Sequence, residues 1–189
     1  MPSPIEFETK RLFMRQWRPS DRAPFAELNA DPRVMEYFPA PLERDESDAL
    51  ADQCQALIEQ RGWGFWAVEL KASAEFIGFL GLHIPIAELP FSPCVEIGWR
   101  LAFQHWHRGL ATEAARGALE VGFDRLDLAE IVSFTTLGNQ RSRAVMQRIG
   151  MREASRFEHP SIPIGHPLRA HCLYRLSQVD YRAQRIAGD

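Results

Sequence analysis

Short runs of alternating apolar and polar positions predict strands, and stretches with helical periodicity lie between these runs. Strands are predicted over residues 11–17, 65–70, 76–84, 95–101, 130–137, 151–158 and 170–176. Helices are predicted from Pro19 to about Asn29 and over residues 47–61, 112–125 and 140–149. This order indicates an α/β fold of α+β mixed-sheet type, with about six to seven strands flanked by helices.

The stretch W-H-R-G-L-A-T-E-A-A, which begins at Trp106, joins a predicted strand to a predicted helix. Strands 95–101 and 130–137 are connected through that helix, so we expect them to be parallel. The turn then lies at the carboxyl end of a parallel strand, where open α/β sheets bind ligands. Backbone N–H groups at a helix start favour an anion, usually a phosphate.

Composition restricts the class of protein. The chain has 189 residues, 46% of them hydrophobic and 25% charged, which suits one domain, predicted over residues 7–178. The net charge is −3 without a basic cluster, which argues against nucleic-acid and membrane partners. The three cysteines lack metal-ligand spacing, and the first residues lack a signal pattern. We therefore expect a cytoplasmic protein without a metal.

The turn differs from the common nucleotide-binding loops. It contains neither G-x-x-x-x-G-K-[ST] nor G-x-G-x-x-G, and no lysine or metal-binding carboxylate accompanies it. An NTP-binding protein is therefore disfavoured. Gly109 and Ala111 leave the backbone N–H groups uncovered, which suits a pyrophosphate.

Two motifs carry a resemblance to a known family. The first is Trp106-His107-Arg108-Gly109-Leu110-Ala111, and the second is Asn139-x-x-Ser142 followed by Val145, Met146 and Ile149-Gly150-Met151. With these motifs the chain resembles the GNAT superfamily of N-acetyltransferases, and within it the RimJ/RimL-type group. His107 stands where that group usually has glycine. The resemblance implies a GNAT-like acyl-CoA N-acyltransferase fold that uses acetyl-CoA as co-substrate.

The resemblance also assigns residues to the donor. The pyrophosphate would lie on backbone N–H groups at the helix start, and the pantetheine arm would run beside a strand end and contact an asparagine. The cofactor-binding residues implied in this way are Trp99, Leu101, His107, Arg108, Gly109, Leu110, Ala111, Thr112 and Asn139.

The reaction is attack of an uncharged amine on a thioester, with loss of a thiolate. Many members of the superfamily protonate that thiolate with a tyrosine at the position of Met146, which cannot donate a proton. Ser142 is therefore the candidate acid, a role compatible with capping its helix. Glu96 is the candidate base, although it is equally compatible with a structural ion pair. His159 and His171 are secondary catalytic candidates, and Tyr37 and Phe38 are candidate acceptor-binding residues.

The expected function is transfer of an acetyl group from acetyl-CoA to a primary amine, either a protein N-terminus or a small-molecule amine, in a ternary complex. The alternative is a non-catalytic acyl-CoA-binding or sensing module, which the methionine at position 146 keeps open. The expected partners are acetyl-CoA and an amine acceptor. A homodimer is left open, because an exposed strand edge is predicted near the C-terminus.

Overall fold

The structure is a computed structural model that describes residues 2–188. Its strands are β1 (Phe7–Glu8), β2 (Leu12–Arg15), β3 (Phe65–Leu70), β4 (Glu75–His83), β5 (Glu96–Leu101), β6 (Glu130–Thr136), β7 (Arg152–Glu158) and β8 (Ala170–Ser177). Its α-helices are α1 (Arg22–Ala30), α2 (Arg44–Arg61), α3 (Leu110–Glu120), α4 (Gln140–Arg148) and α5 (Gln178–Gly188). Short 3-10 turns, Pro19–Asp21 and Phe103–His105, precede α1 and α3, and α3 continues into a π-helical turn, Val121–Arg125.

The strands form a mixed sheet in the order β1-β2-β3-β4-β5-β6-β8-β7. The predicted mixed fold is confirmed, but the expected count of six to seven strands was wrong, because the described residues form eight. The additional strand is β1, whose two residues pair with Met14 and Phe13 of β2. Two residues are too few to show an alternating pattern, so this strand can be identified only from its pairing with β2 in the structure.

The chain divides into two compact units. Unit 1 comprises residues 2–82 and 98–117, and unit 2 comprises residues 83–97 and 118–188. The division falls within β5 and within α3. The predicted 7–178 domain boundaries stay a prediction.

The core of unit 1 combines aromatic rings with a buried ion network. The ring of Phe25 lies 4.9 Å from that of Trp17 and 5.8 Å from that of Phe79. Arg15 donates to both carboxylate oxygens of Asp21, at 2.7 and 2.9 Å, and to Glu69 at 2.7 Å. Because two carboxylates compensate this buried cation, its burial is tolerated.

Helix α2 begins and ends where local chemistry requires. Glu43 and Glu46 form a reciprocal capping box at its start, and Asp45 adds a second acidic side chain to the first turn. Gly62, in the left-handed conformation, ends the helix as predicted. The helix begins three residues earlier than expected, because the capping box lies before the apolar positions that predicted it.

Unit 2 contains the parallel pair predicted from the sequence. Strands β5 and β6 are parallel, with Glu96 in register with Val132, and the Ser133 hydroxyl donates to the Ile97 carbonyl at 2.8 Å. Strand β8 pairs antiparallel with both β6 and β7. Helix α4 ends at Arg148, one residue before its predicted end.

Helix α5 was not predicted. It follows β8 directly, and Tyr181 on its first turns stacks on Phe123 with ring centroids 4.6 Å apart. This contact joins residues that are far apart in sequence. Because Val179 and Ile186 are also exposed, the hydrophobic pattern of the segment alone predicts a helix only weakly. None of the helices in the described residues combines the length and apolar character needed to cross a membrane.

Candidate active site

The turn before α3 has an unusual backbone. His107 and Gly109 both adopt the left-handed conformation, with φ of 58° and 73°, and Arg108 lies between them. Leu110 then begins an eleven-residue helix and is buried. A Cβ on Gly109 would meet only the Nη2 atom of Arg11 within 4 Å, at 3.7 Å. Within unit 1, the space next to the Cα atom of Gly109 is therefore open.

Residues far away in sequence hold this turn. Arg11 donates through Nη1 to the Arg108 carbonyl at 2.9 Å and through Nε to Glu113 at 2.6 Å. Thr9 donates to the same carboxylate at 2.6 Å. Burial opposes ionisation of Glu113, but the hydrogen bonds from Thr9 and Arg11 outweigh it and hold the pKa of this carboxyl below its ordinary value. The carboxylate of Glu113, in the first turn of α3, is thus already bound by Thr9 and Arg11.

The turn has the features of an anion site. The first N–H groups of an α-helix have no intrahelical acceptor, and the helix field favours negative charge there. A glycine before the helix provides no side chain to accept from these groups. The predicted residues His107, Arg108, Gly109, Leu110, Ala111 and Thr112 form this turn and the first helical residues. The arrangement fits a pyrophosphate.

The end of β5 lies beside the turn in unit 1. Trp99 is half-buried, whereas the side chain of Leu101 is buried. The indole Nε1 of Trp106 donates to the Leu101 carbonyl at 2.8 Å. The Leu101 carbonyl, at the strand end predicted to lie beside the donor arm, therefore already has one hydrogen-bond partner.

In unit 2, Asn139 and Ser142 are hydrogen-bonded to each other at the start of α4. The Oδ1 atom of Asn139 accepts from the backbone N–H of Ser142 at 3.1 Å, which caps the helix. Its Nδ2 atom donates to the hydroxyl oxygens of Ser142 at 3.1 Å and Thr135 at 3.0 Å. Because the Ser142 oxygen accepts from Asn139, its own proton stays available for donation. Met146 is buried one turn further along α4.

Glu96 is the first residue of β5 and belongs to unit 2. It is half-buried, and burial raises the pKa of its carboxyl to about 8. A carboxyl with a pKa near the working pH is suited to accept a proton. Among the described residues of unit 2, no hydrogen bond joins Glu96 to Ser142, His159 or His171.

The two secondary candidates lie next to each other. The rings of His159 and His171 have centroids 5.0 Å apart and pack near Phe134 and Phe157. Burial lowers the pKa of both imidazoles. The Nδ1 atom of His171 lies 3.0 Å from the Arg169 carbonyl, which can only accept, so Nδ1 carries the proton and Nε2 has the lone pair.

The predicted acceptor-binding residues lie in a turn segment between α1 and α2. Tyr37 is half-buried and Phe38 is exposed. The guanidinium carbon of Arg100, on β5 of the same unit, lies 4.2 Å from the centroid of the Phe38 ring.

Comparison with protein families identifies the family of the chain. The sequence model of the acetyltransferase (GNAT) domain matches residues 11–152. The chain belongs to the GNAT acetyltransferase family. GNAT proteins transfer an acetyl group from acetyl-CoA to an acceptor.

Individual proteins and structures are also similar to this chain. The chain is 28% identical to the uncharacterized protein YkkB of Bacillus subtilis, over 87% of this chain and 95% of YkkB. It is 32% identical to the FsC-acetyl coenzyme A-N(2)-transacetylase of Aspergillus fumigatus, over 69% of this chain and 57% of that protein. Mycobacterium smegmatis RimJ, solved in complex with CoA-disulfide, has a similar fold, with a TM-score of 0.75 and 19% identity over 98% of this chain and 95% of RimJ.

Several residues that hold the candidate site are not marked by any sequence motif. Thr9, Arg11 and Glu113 hold the turn through contacts that span about a hundred residues. The glutamate was visible inside the A-T-E-A motif, but nothing local indicated its partners. Thr135 and Arg100 likewise belong to no motif, and their contacts with Asn139 and Asn29 are visible only in the structure.

Proposed function

We propose that this GNAT protein holds acetyl-CoA at the turn before α3 and transfers the acetyl group directly to a primary amine in a ternary complex. The acceptor class is a protein N-terminus or a small-molecule amine. The observation that carries the proposal is the open turn at His107 and Gly109, with two left-handed residues directly before an eleven-residue helix. When bound, acetyl-CoA supplies an activated acetyl thioester.

The residues of unit 1 would bind the donor. Backbone N–H groups from His107 to Thr112 would donate to the pyrophosphate. The amides of the pantetheine arm would pair with the strand end at Trp99 and Leu101. Because the Leu101 carbonyl already accepts from Trp106, Trp99 is the better backbone partner.

The residues of unit 2 would handle protons. Ser142 would donate its hydroxyl proton to the leaving thiolate, since Asn139 keeps the hydroxyl oxygen in the accepting role. Glu96 would accept the proton of the attacking amine, directly or through water. The lone pair on Nε2 of His171 offers a second acceptor for that proton, and His159 lies beside it. Asn139 would also contact the donor arm.

An assay of CoA thiol release with a panel of amines tests the function. The panel contains N-terminal peptides, amino acids and simple alkylamines, and acetylated products are identified by mass. We expect turnover with at least one class of amine. Binding of acetyl-CoA without turnover on any acceptor would contradict catalysis and favour the sensing module.

The pH dependence tests the base. Glu96 has a pKa of about 8 and must be ionised to accept a proton, so kcat/KM should rise with pH and level off above about 8. The rise should disappear in Glu96→Gln, measured with the same amine. A rise that persists unchanged in the variant would come from the amine itself and would remove Glu96 from its role.

A stability measurement checks the same carboxyl without relying on activity. Its pKa is about 8 in the folded chain, against an ordinary value of 4.5, so between these values the folded state binds more protons than the unfolded state. The contribution of Glu96 to the free energy of unfolding should therefore fall as pH rises from about 4.5 to about 8. In Glu96→Gln, the decline over this window should be smaller.

A further inference from the structure

Arg100, on β5, is a half-buried cation of unit 1 without a carboxylate partner among residues 2–82 and 98–117. Its Nη1 atom donates to Oδ1 of Asn29 at 2.6 Å. Asn29 is fully buried, and its Nδ2 atom donates to the buried Ser47 hydroxyl at 2.9 Å. This second bond fixes the amide, so that its oxygen faces Arg100.

Among the described residues of unit 1, the other contacts of Arg100 are two aromatic rings and a neutral thiol. The guanidinium carbon lies 4.2 Å from the ring centroid of Phe38 and 5.3 Å from that of Phe79. Burial raises the pKa of the nearby Cys54 thiol to about 12, so this group stays neutral. The Nε atom of Arg100 is closed to solvent and has no hydrogen-bond acceptor.

A second arginine of the same unit shows how a buried guanidinium is compensated within the chain. Arg15 is 2% exposed and is bound by the carboxylates of Asp21 and Glu69. Arg100 has an amide and two rings instead, and burial lowers its pKa to about 10, so it remains charged near neutral pH. Arg100 is half-buried, but its Nε donor is closed to solvent and unpaired, and an unpaired buried donor is costly, which points to a partner from outside the chain.

We propose that Arg100 binds a carboxylate carried by the amine acceptor, so that the preferred acceptors are amino acids and related amino-carboxylates. This inference rests on the proposed function and deepens it. Arg100 lies between Trp99 and Leu101, the residues assigned to the donor arm. A guanidinium matches a carboxylate with two parallel N–H donors, and Nε is the donor that still needs an acceptor.

Access to Nε requires a side chain to move. Phe38 is the exposed ring of this site, at 38% exposure, and it belongs to a turn segment outside the helices and strands. We infer that its ring shifts when the carboxylate binds and then covers the ion pair. In the low dielectric beside two rings, such a pair is stronger than in water.

Matched acceptors test the proposal. The kcat/KM values of an amino acid and its carboxamide are compared in the native protein and in Arg100→Gln. The ratio between proteins cancels the different basicity of the two amines. We expect the carboxylate preference to fall by about tenfold to a hundredfold in the variant, the range for charged hydrogen bonds, with the KM for acetyl-CoA unchanged.

Control variants separate binding from structure. Arg33→Gln removes an arginine that also stacks on a ring, that of Phe103 at 3.9 Å, but is paired with Asp31, and it should leave the preference unchanged. Arg100→Met removes the unpaired charge while keeping an apolar stem, so its melting temperature should be at least that of the native protein. Should Arg100→Gln not fold, Arg100→Met takes its place.

The outcomes distinguish this inference from the proposed function. Turnover with the same carboxylate preference in native protein and variant would overturn the role of Arg100 alone. Absence of turnover on every amine would overturn the proposed function. Binding is then read directly: an N-acetyl amino acid should raise the melting temperature of the native protein more than its amide does, and Arg100→Gln should lose this difference. Equal shifts would refute the inference.

Discussion

The helices α3 and α4 both start with candidate site residues, but they use their first backbone N–H groups in opposite ways. At α4, the side chain of Asn139 accepts from the Ser142 N–H and also binds the Ser142 hydroxyl. At α3, the preceding residue is Gly109, which has no side chain to offer. The nearest acidic side chain, Glu113, is held by Thr9 and Arg11.

We infer from this difference that the start of α3 serves to bind the donor, whereas the start of α4 serves proton transfer. The start of α3 has no capping side chain on Gly109, and we propose that its N–H groups bind the phosphates of the donor. The start of α4 satisfies an N–H group internally and thereby positions a hydroxyl whose proton remains available. A helix start thus binds an anion or orients a side chain, depending on whether its first residue has a capping group.

The largest effect should come from the hydroxyl at α4. Ser142→Ala removes the proposed acid, so kcat should fall by about a hundredfold, while the Kd for acetyl-CoA should not change. Steady-state kinetics and calorimetry measure the two quantities. Ser155→Ala, which alters an exposed serine of β7 in the same unit, is the control and should retain full activity. An unchanged kcat in Ser142→Ala would leave Ser142 as a helix residue only.

The next effect should come from the open turn at α3. Gly109→Val puts a branched side chain where the backbone must approach the donor, at a φ of 73°, and should weaken acetyl-CoA binding by about tenfold or more. Gly165→Val is the matched control, because Gly165 has a φ of 84° and nothing within 4 Å of an added Cβ. Equal losses of affinity in the two variants would show backbone strain rather than a donor site.

A smaller effect should appear in the stability of α4. Asn139→Ala removes the cap and should lower the free energy of unfolding by about 1 kcal/mol, measured by denaturant titration. Asn139→Asp keeps an accepting oxygen and should retain most of this stability. Its carboxylate would however accept the Ser142 proton, so kcat should still fall. If Asn139→Asp has native activity, Asn139 only caps the helix.

The sequence predicted features that depend on neighbouring residues. The end of α2 at Gly62, the strands β3 and β4, the parallel pair of β5 and β6 and the position of α4 all follow from caps, turns and local periodicity. The sequence also predicted the turn between β5 and α3 at Gly109, whereas its binding of a pyrophosphate stays a proposal. The family assignment required this turn and the Asn139 motif together.

Features that depend on distant partners could not be predicted. Strand β1 is defined by its pairing with β2, and α5 packs by stacking the ring of Tyr181 on that of Phe123. The contacts of Arg11 with the turn span 97 and 102 residues. The isolation of Arg100 from carboxylates is visible only when its neighbours in space are known, because periodicity shows which face a residue occupies and not the charge it meets there.

Direct acetyl transfer is the central claim, and one labelling experiment tests it most directly. The chain is mixed with acetyl-labelled CoA, with and without the best amine, and free CoA thiol, acetylated amine and label on the protein are measured together. We predict one acetylated amine for each thiol released, no label on the protein, and no thiol release without amine. Thiol release with label retained on the protein in the absence of amine would contradict direct transfer in a ternary complex.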